Sequence, residues 1–570
     1  MEIIESPDKY DVVIVGSGAG GGMAAHQLTK AGANVLMLEA GGWFDSEDFA
    51  MFKWPYESPR RGAPTQLQPF GSFDACFGGW DIEGEPYTTT EDTEFDWFRG
   101  RMLGGRTNHW GRISLRFGPD DFRVHSKDGM GDNWPISYQD LKPYYDRLDR
   151  LVGIFGTHED IPNAPGGVYM DPPEPRCYEH MIKNACDDMD IACIPSRMSI
   201  ITESHNGRAA CHYCGQCNRS CSTHSNFSTP SVLLPPALET GNLEIITNAM
   251  VREVTYSDGK ATGVSYINKK DGKEYKVRAR VVVLAASACE SARLLLNSKS
   301  SDFPNGLANS SGVVGKYLMD STGTSVAGVI PDLMNAPAHN EDGTGGMHMY
   351  IPWWKDNSNL DFARGYHAEL WGGRGMPSYG FMGGIQNYND LFLDRPKGGG
   401  GYGKQLKEDY RRYYGSIVGF SGRGECIARE DNYCEIDPNT VDEWGIPSLK
   451  FNYNWSDQEY NQVKHMQETF RSIIDEMGGE PLWDMPSKED GYGISTPGYI
   501  IHEVGTTRMG DDPDESVLNE YCQAHDVDNL FVADGGPFVS QPHKNPTWTI
   551  LALSMRTSDY IADQMNKGNL

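Results

Sequence analysis

Apolar and polar positions fall into a short, ordered pattern near residue 10. The run Val12-Val-Ile-Val15 leads into Gly16-x-Gly18-x-x-Gly21 and a helix-compatible stretch over residues 23–30. A second apolar run, Val35-Leu-Met-Leu38, then ends in Glu39. This order predicts strand, helix and strand over residues 10–42. Gly16 permits the tight turn, Gly18 lets backbone approach a pyrophosphate, and Gly21 lets helix and strand pack closely. The helix start offers unpaired N–H groups and a positive dipole end to phosphate. Glu39 stands about 20 residues beyond the glycines, where an acid accepts hydrogen bonds from a ribose hydroxyl. Glycines alone are a weak signal, but the ordered set predicts a bound adenine dinucleotide.

Further along, residues 43–95 are rich in Pro, Gly and aromatics and read as a long irregular excursion. Residues 243–284 alternate like short antiparallel strands, with Asp-Gly turns at 258 and 271. A buried-strand run follows over residues 281–286, then a helix over about 289–297. Residues 322–500 mix short strand-like runs with glycine turns and many aromatics. The last apolar elements are the run before Asp534-Gly535-Gly536 and a helical pattern over about 546–565. Strand signals flanking a different middle region predict a discontinuous nucleotide domain with a substrate domain inserted in it.

Composition narrows the partners. The 570 residues carry 79 acidic and 50 basic side chains, a formal charge of −29. That charge argues against nucleic acid or an anionic membrane surface as partner. No apolar run reaches the ~18 residues of a membrane span. The first residues lack a basic region and an apolar signal core, so the expectation is a cytoplasmic chain without its own export signal. Eight of the 12 cysteines are scattered, with no small-scaffold disulfide pattern. The other four, Cys211, Cys214, Cys217 and Cys221, crowd into one stretch.

Three more segments carry a family resemblance. Arg101-Met-Leu-Gly-Gly-Arg-Thr-Asn-His-Trp-Gly111 resembles the second glycine signature of the glucose–methanol–choline (GMC) flavin oxidoreductases. His502-Glu-Val-Gly-Thr-Thr-Arg-Met-Gly510 resembles their histidine motif, and Asn545-Pro-Thr-Trp-Thr-Ile-Leu-Ala, after Asp534 and Gly535, their closing motif. The resemblance spans nearly the whole chain. It implies FAD and a mixed α/β fold. A Rossmann-like FAD domain would form from residues 1–320 and 496–570, with an antiparallel-sheet substrate domain at 321–495. Besides Gly16, Gly18, Gly21 and Glu39, it implies cofactor contacts at Gly104, Gly105, Asn108, His109, Val251, Asp534, Gly535, Asn545, Pro546 and Thr547. His109 falls where some members attach FAD covalently and others only touch it.

The resemblance also places His502 and Asn545 at the flavin N5 face. Alcohol oxidation needs a base for the hydroxyl proton while hydride leaves the carbinol, and histidine suits that at neutral pH. Asn545 would donate a hydrogen bond to the substrate oxygen; a buried structural histidine is the competing reading of His502. His543, two residues before Asn545, is a candidate second polar contact. The helix opening at Pro546 would aim its positive end at the flavin pyrimidine edge.

The spacing C-x2-C-x2-C-x3-C equals that of ferredoxin cluster loops, apart from the missing Pro after the last Cys. It predicts a 3Fe-4S or 4Fe-4S cluster in competition with a purely structural loop and with zinc. Trp353, Trp354, Tyr366, Trp371, Tyr379, Tyr388 and Phe392, among polar residues, favour sugar rings over an ordinary aromatic core of similar appearance. Residues 397–403 read as a glycine-rich lid or a plain loop. The expectation is therefore a sugar or glycoside dehydrogenase of the glucoside 3-dehydrogenase type. It would pass electrons to an external acceptor such as a cytochrome or small subunit. A signal-bearing small partner would carry such a chain to the periplasm. The alternatives are a gluconate-type dehydrogenase, an oxygen-using oxidase and a flavin-bearing lyase.

Overall fold

A computed structural model describes residues 3–44, 48, 78–215, 217, 221–337, 343–352, 359–373 and 402–570. The fold is mixed α/β, built on two main sheets. Strand β1 (Ile3–Val15), helix α1 (Ala19–Lys30) and β2 (Val35–Glu39) form the expected opening unit. Val12 to Val15 pair in parallel with Val35 to Leu38. Helices α2 (Tyr138–Val152) and α3 (Cys177–Asp188) follow. Then come β3 (Leu243–Thr247), β4 (Ala249–Ser257), β5 (Lys260–Asn268) and β6 (Lys273–Leu284).

Two readings of this stretch need correction. β3 lies parallel to β2, with Val35 opposite Leu243, rather than in an antiparallel hairpin. The strand expected near 275–280 and the buried run 281–286 are one strand, β6. It runs parallel to β1 along nearly its whole length, and its first half also runs antiparallel to β5. Alternation reveals which face of a strand is buried but carries no information on the direction of its neighbours. The spatial order β3-β2-β1-β6-β5-β4 results.

Burial of successive residues shows that both faces of these parallel strands are covered. Val12 and Ile14 face a cluster with Ala24, Leu28 and Ile561, whereas Val13 and Val15 face the main core. After helix α4 (Ala288–Asn297) the chain builds a second, antiparallel sheet. It comprises β7 (Thr322–Val329), β8 (Met349–Ile351), β9 (Tyr366–Gly372) and β10 (Ile417–Gly424). Helix α5 (Asp457–Glu476) covers one face, where Ala368, Leu370 and Phe420 meet Val463, Met466 and Phe470. Ser456 caps α5 in a reciprocal box with Glu459. Helix α3 and a short edge strand at Ile194–Pro195 also join this second unit.

The chain then returns to the first sheet. Strand β11 (Leu530–Val532) pairs in parallel with β6, Val282 opposite Leu530. Helix α6 (Thr547–Lys567) packs against α1, and Ser554 Oγ donates to the Gly20 carbonyl at 2.7 Å. Residues from both ends thus share one layer. Among the described residues, no helix is long and apolar enough to cross a membrane.

Candidate active site

The glycine fingerprint forms an open cradle at the end of β1. A Cβ on Gly16, whose φ is +97°, would lie 2.3 Å from the Ala285 carbonyl, and one on Gly21 would lie 2.0 Å from the Gly16 carbonyl. Around Gly18 a Cβ would meet nothing within 4 Å. The two outer glycines are therefore closed by packing, while the middle one faces free space. No side chain caps α1 and no acid stands in its first turn, so its N–H groups are left to an anion. These features fit a dinucleotide pyrophosphate. Glu39 is buried at the end of β2, its Oε2 accepting from the Ser17 hydroxyl at 2.5 Å and its Oε1 from the Gly41 amide at 2.7 Å. Burial raises its pKa, opposed by those hydrogen bonds.

The 101–111 segment closes over this cradle. The Gly104 amide donates to Ser17 Oγ at 2.8 Å, and a Cβ on Gly105 would stand 3.6 Å from Gly18 Cα. Asn108 donates to the carbonyls of Leu103 and Gly105 and so shapes the turn. His109 is buried, its ring edge-on to Phe98 at 5.1 Å. Burial, then Arg112 and Arg106, push its pKa down to about 3. Val251 lies in β4 opposite Tyr266, within the main core. Asp534 accepts from Ser291 Oγ and the Ser287 and Gly536 amides, and burial raises its pKa to about 6. Gly535 accepts the Gly505 amide, which ties the 533–536 turn to the histidine motif. The salt bridge of Arg106 with Glu503, 2.6 Å, ties that motif to the 101–111 segment.

His502 and Asn545 meet beside this junction. His502 Nε2 lies 3.3 Å from Asn545 Nδ2, and its Nδ1 lies 2.9 Å from Ser321 Oγ. Asp320 holds the His502 loop by accepting the backbone amides of His502 and Gly498. The preceding residue, Ile501, has a φ of +65°. A β-branched residue there is strained by about 1–3 kcal/mol, a cost that concentrates at sites whose geometry the surroundings enforce. Burial, then Arg423, lowers the His502 pKa to about 3, with Glu369 acting in the opposite sense. Pro546 stands at the start of α6, with Thr547 as its first residue and no acid in the first turn. Trp548 Nε1 donates to Asp149, and Thr549 bonds Tyr145, which anchors this helix start on α2. The ring of His543 bonds Glu425 at 2.8 Å.

Residues invisible to motif reading complete the site. Glu369 Oε1 accepts from Asn545 Nδ2 at 3.2 Å, and its Oε2 pairs with Arg423 at 2.9 Å. His367 Nε2 lies 3.5 Å from the same carboxylate. Burial opposes charge on Glu369, yet Arg423, His367 and Asn545 hold its pKa down at about 2. The strand pattern carried a signal: Tyr366, Ala368 and Leu370 alternate with His367 and Glu369. The aromatic reading chose the wrong face at Tyr366, which packs against His465 and Phe470 in the core. Trp371 donates to Ser421 on the face opposite that core. Trp353, Trp354, Tyr379, Tyr388, Phe392 and most of the 397–403 loop lie outside the described residues.

The four clustered cysteines do not form a ligand set here. Among the described residues, no group of three or more His, Cys, Asp or Glu side chains is arranged to hold a metal ion. Cys217 is buried against Ile113, Leu115 and Met347, where its sulfur accepts the Gly345 amide at 3.3 Å. Cys211 packs on the same cluster, its pKa raised by burial to about 11. Cys221 lies 3.5 Å from Thr223 Oγ1.

Family models described as GMC oxidoreductase match residues 13–322 and 428–554. The 2-methyl-1,2-propanediol dehydrogenase of Mycolicibacterium austroafricanum is 31% identical over 98% of this chain and 96% of its own. The fructose dehydrogenase large subunit of Gluconobacter japonicus is 26% identical, over 98% of each chain. A solved structure of formate oxidase from Aspergillus oryzae shares the fold, with a TM-score of 0.66 and 16% identity over 98% of this chain and 99% of that one. With the cradle, the returning C-terminal helix and the histidine loop in place, the chain belongs to the GMC oxidoreductase family, flavoproteins acting on CH–OH groups.

Proposed function

We propose that the protein oxidises a secondary hydroxyl of a sugar or glycoside to a ketone, with His502 as the base and Asn545 as its orienting partner. One observation carries this reading: His502 Nε2 and Asn545 Nδ2 stand 3.3 Å apart, beside the junction of the segments that line the cradle. Bound FAD supplies a two-electron acceptor for the carbinol hydride. Gly16, Gly18, Gly21 and Glu39 would hold it from one side. Gly104, Gly105, Asn108, His109, Val251, Asp534, Gly535, Pro546 and Thr547 would hold it from the other.

Burial keeps His502 neutral, so a ring nitrogen is available to take the hydroxyl proton. The sugar class is supported by the polar lining beside the pair, where Asn545 Oδ1 is buried without a partner among the described residues and is left for a substrate hydroxyl. Similarity to the fructose dehydrogenase large subunit supports it as well. Electrons then pass to an external acceptor. An iron–sulfur relay at Cys211, Cys214, Cys217 and Cys221 has only its spacing in support. The thiols as placed do not fit a cluster, and we read the loop as structural.

The test is an anaerobic spectral screen of flavin bleaching with methyl glycosides, free sugars and sugar acids, run on the native protein and His502→Ala. The variant is expected to keep its flavin and to lose about 10²–10⁴-fold in bleaching rate. Bleaching at the native rate in His502→Ala overturns the base assignment.

A further inference from the structure

We infer that Glu369 is a positioning residue that sets the amide orientation of Asn545 and, through it, the tautomer of His502. The inference rests on the reading of His502 as the base. An ionised carboxylate only accepts hydrogen bonds. Glu369 is held ionised by Arg423, whose guanidinium lies 2.9 Å from Oε2. The Asn545 atom 3.2 Å from Oε1 must therefore be the amide nitrogen.

A primary amide nitrogen has two hydrogens. With one given to Glu369, the other faces His502 Nε2 at 3.3 Å, and that ring nitrogen must accept it. A neutral imidazole whose Nε2 accepts carries its proton on Nδ1. Here Nδ1 lies 2.9 Å from Ser321 Oγ, which has a second lone pair for Gln541 Nε2 at 3.2 Å. Donors and acceptors match along the whole path from Arg423 to Gln541. Reversing the amide would place Asn545 Oδ1 against the Glu369 carboxylate and leave both oxygens without a proton between them.

Two consequences bear on the reaction. The lone pair of His502 is held at Nε2 by the Asn545 N–H, and a substrate hydroxyl that displaces this hydrogen bond meets the nitrogen that takes its proton. Asn545 Oδ1 is buried without a partner among the described residues, so the amide meets a substrate hydroxyl as an acceptor. Glu369 has little capacity left for substrate: Oε2 is taken by Arg423, and Oε1 by Asn545 with His367 at 3.5 Å.

The test is the ¹⁵N spectrum of histidine-labelled holoenzyme, with the His502 signals identified by their loss in His502→Ala. The native protein is expected to show His502 protonated at Nδ1, and Glu369→Gln to show a mixture, because a glutamine amide satisfies either orientation of Asn545. A native Nε2–H tautomer, or an unchanged Nδ1–H tautomer in Glu369→Gln, overturns the inference. The native spectrum alone decides if that variant does not fold. In anaerobic stopped flow with methyl β-D-glucopyranoside, Glu369→Gln should lower the flavin reduction rate about 10-fold, a part of the usual general-base contribution. A weaker apparent affinity at the native reduction rate would make Glu369 a substrate ligand and overturn its positioning role. The tautomer needs no substrate, so bleaching retained in His502→Ala sinks the base assignment while leaving this measurement to stand or fall separately.

Discussion

Replacing the cradle glycines one at a time should separate binding from folding. At Gly18 the backbone has φ −63° and ψ −159°, a conformation alanine adopts freely, and an added Cβ meets nothing within 4 Å. Gly18→Ala should therefore leave the flavin-free fold intact and stabilise it by about 0.4–1 kcal/mol, through a less flexible unfolded chain. The same methyl would occupy the space into which a pyrophosphate packs. Overfilling a close-packed contact costs about 1–3 kcal/mol, so FAD affinity should fall roughly 10- to 100-fold. Gly20→Ala should do the opposite. Its Cβ would lie 1.6 Å from the Ala533 carbonyl oxygen, and backbone on both sides leaves no side chain to rotate away. Helix α1 would have to part from the turn after β11 by more than an ångström. The cost should reach or exceed the upper end of that about 1–3 kcal/mol range, well above the roughly 1 kcal/mol that alanine gains over glycine in a helix. Flavin content as isolated, melting of the flavin-free fraction and its titration with FAD measure all three quantities. If Gly18→Ala binds FAD as tightly as the native protein, the pyrophosphate does not lie against Gly18 and the cradle argument fails.

Two further expectations follow from the site. With its pKa near 3, His502 stays neutral, so kcat/KM should show no acid limb from this residue between pH 7 and about 4. Arg423, His367 and Arg106 oppose its protonation, whereas Glu369 favours it. The neighbouring Asp320 carboxyl has its pKa raised by burial to about 7. An acid limb near pH 6.5 that persists in Asp320→Asn would refute this. The linkage has the same sign, since the unfolded chain protonates His502 near 6.5 and the folded chain does not. His502 thus withdraws stability progressively as pH falls from about 6.5 to 3, visible as a falling melting temperature. The second expectation concerns the cysteine loop: anaerobically purified protein should be active without iron or acid-labile sulfide. Both present in cluster stoichiometry, and lost together with electron transfer on chelation, would restore the relay.

What could be read from sequence was what is local. The turn from β1 into α1 is written in three glycines within six residues, and Glu39 ends the next apolar run, so fold and cofactor class were legible. His502 and Asn545 were visible only because each sits in a motif. Glu369 and Arg423 sit in no motif. They lie on neighbouring strands of the second sheet, and the contact of Glu369 with Asn545 exists only after that sheet folds against the first. Even so, the alternation of His367 and Glu369 with Tyr366, Ala368 and Leu370 marked a polar face that a search for aromatics passed over. The direction of β3 was not legible, because parallel and antiparallel strands share one period.

The place of β11 beside β6 has a consequence for how the protein is made. Leu530 pairs with Val282 across almost 250 intervening residues, and Ser554 reaches back to Gly20 at the start of the first helix. A ribosome-bound chain therefore exposes the apolar edge of β6 and one face of α1 until β11 and α6 emerge. Closing such distant pairs is slow, and open strand edges invite aggregation while it proceeds. The cradle cannot be completed on a nascent chain, so cofactor capture should be a late event that locks an already assembled sheet. Truncation within α6 would then yield an aggregation-prone, flavin-free chain rather than a weakened enzyme.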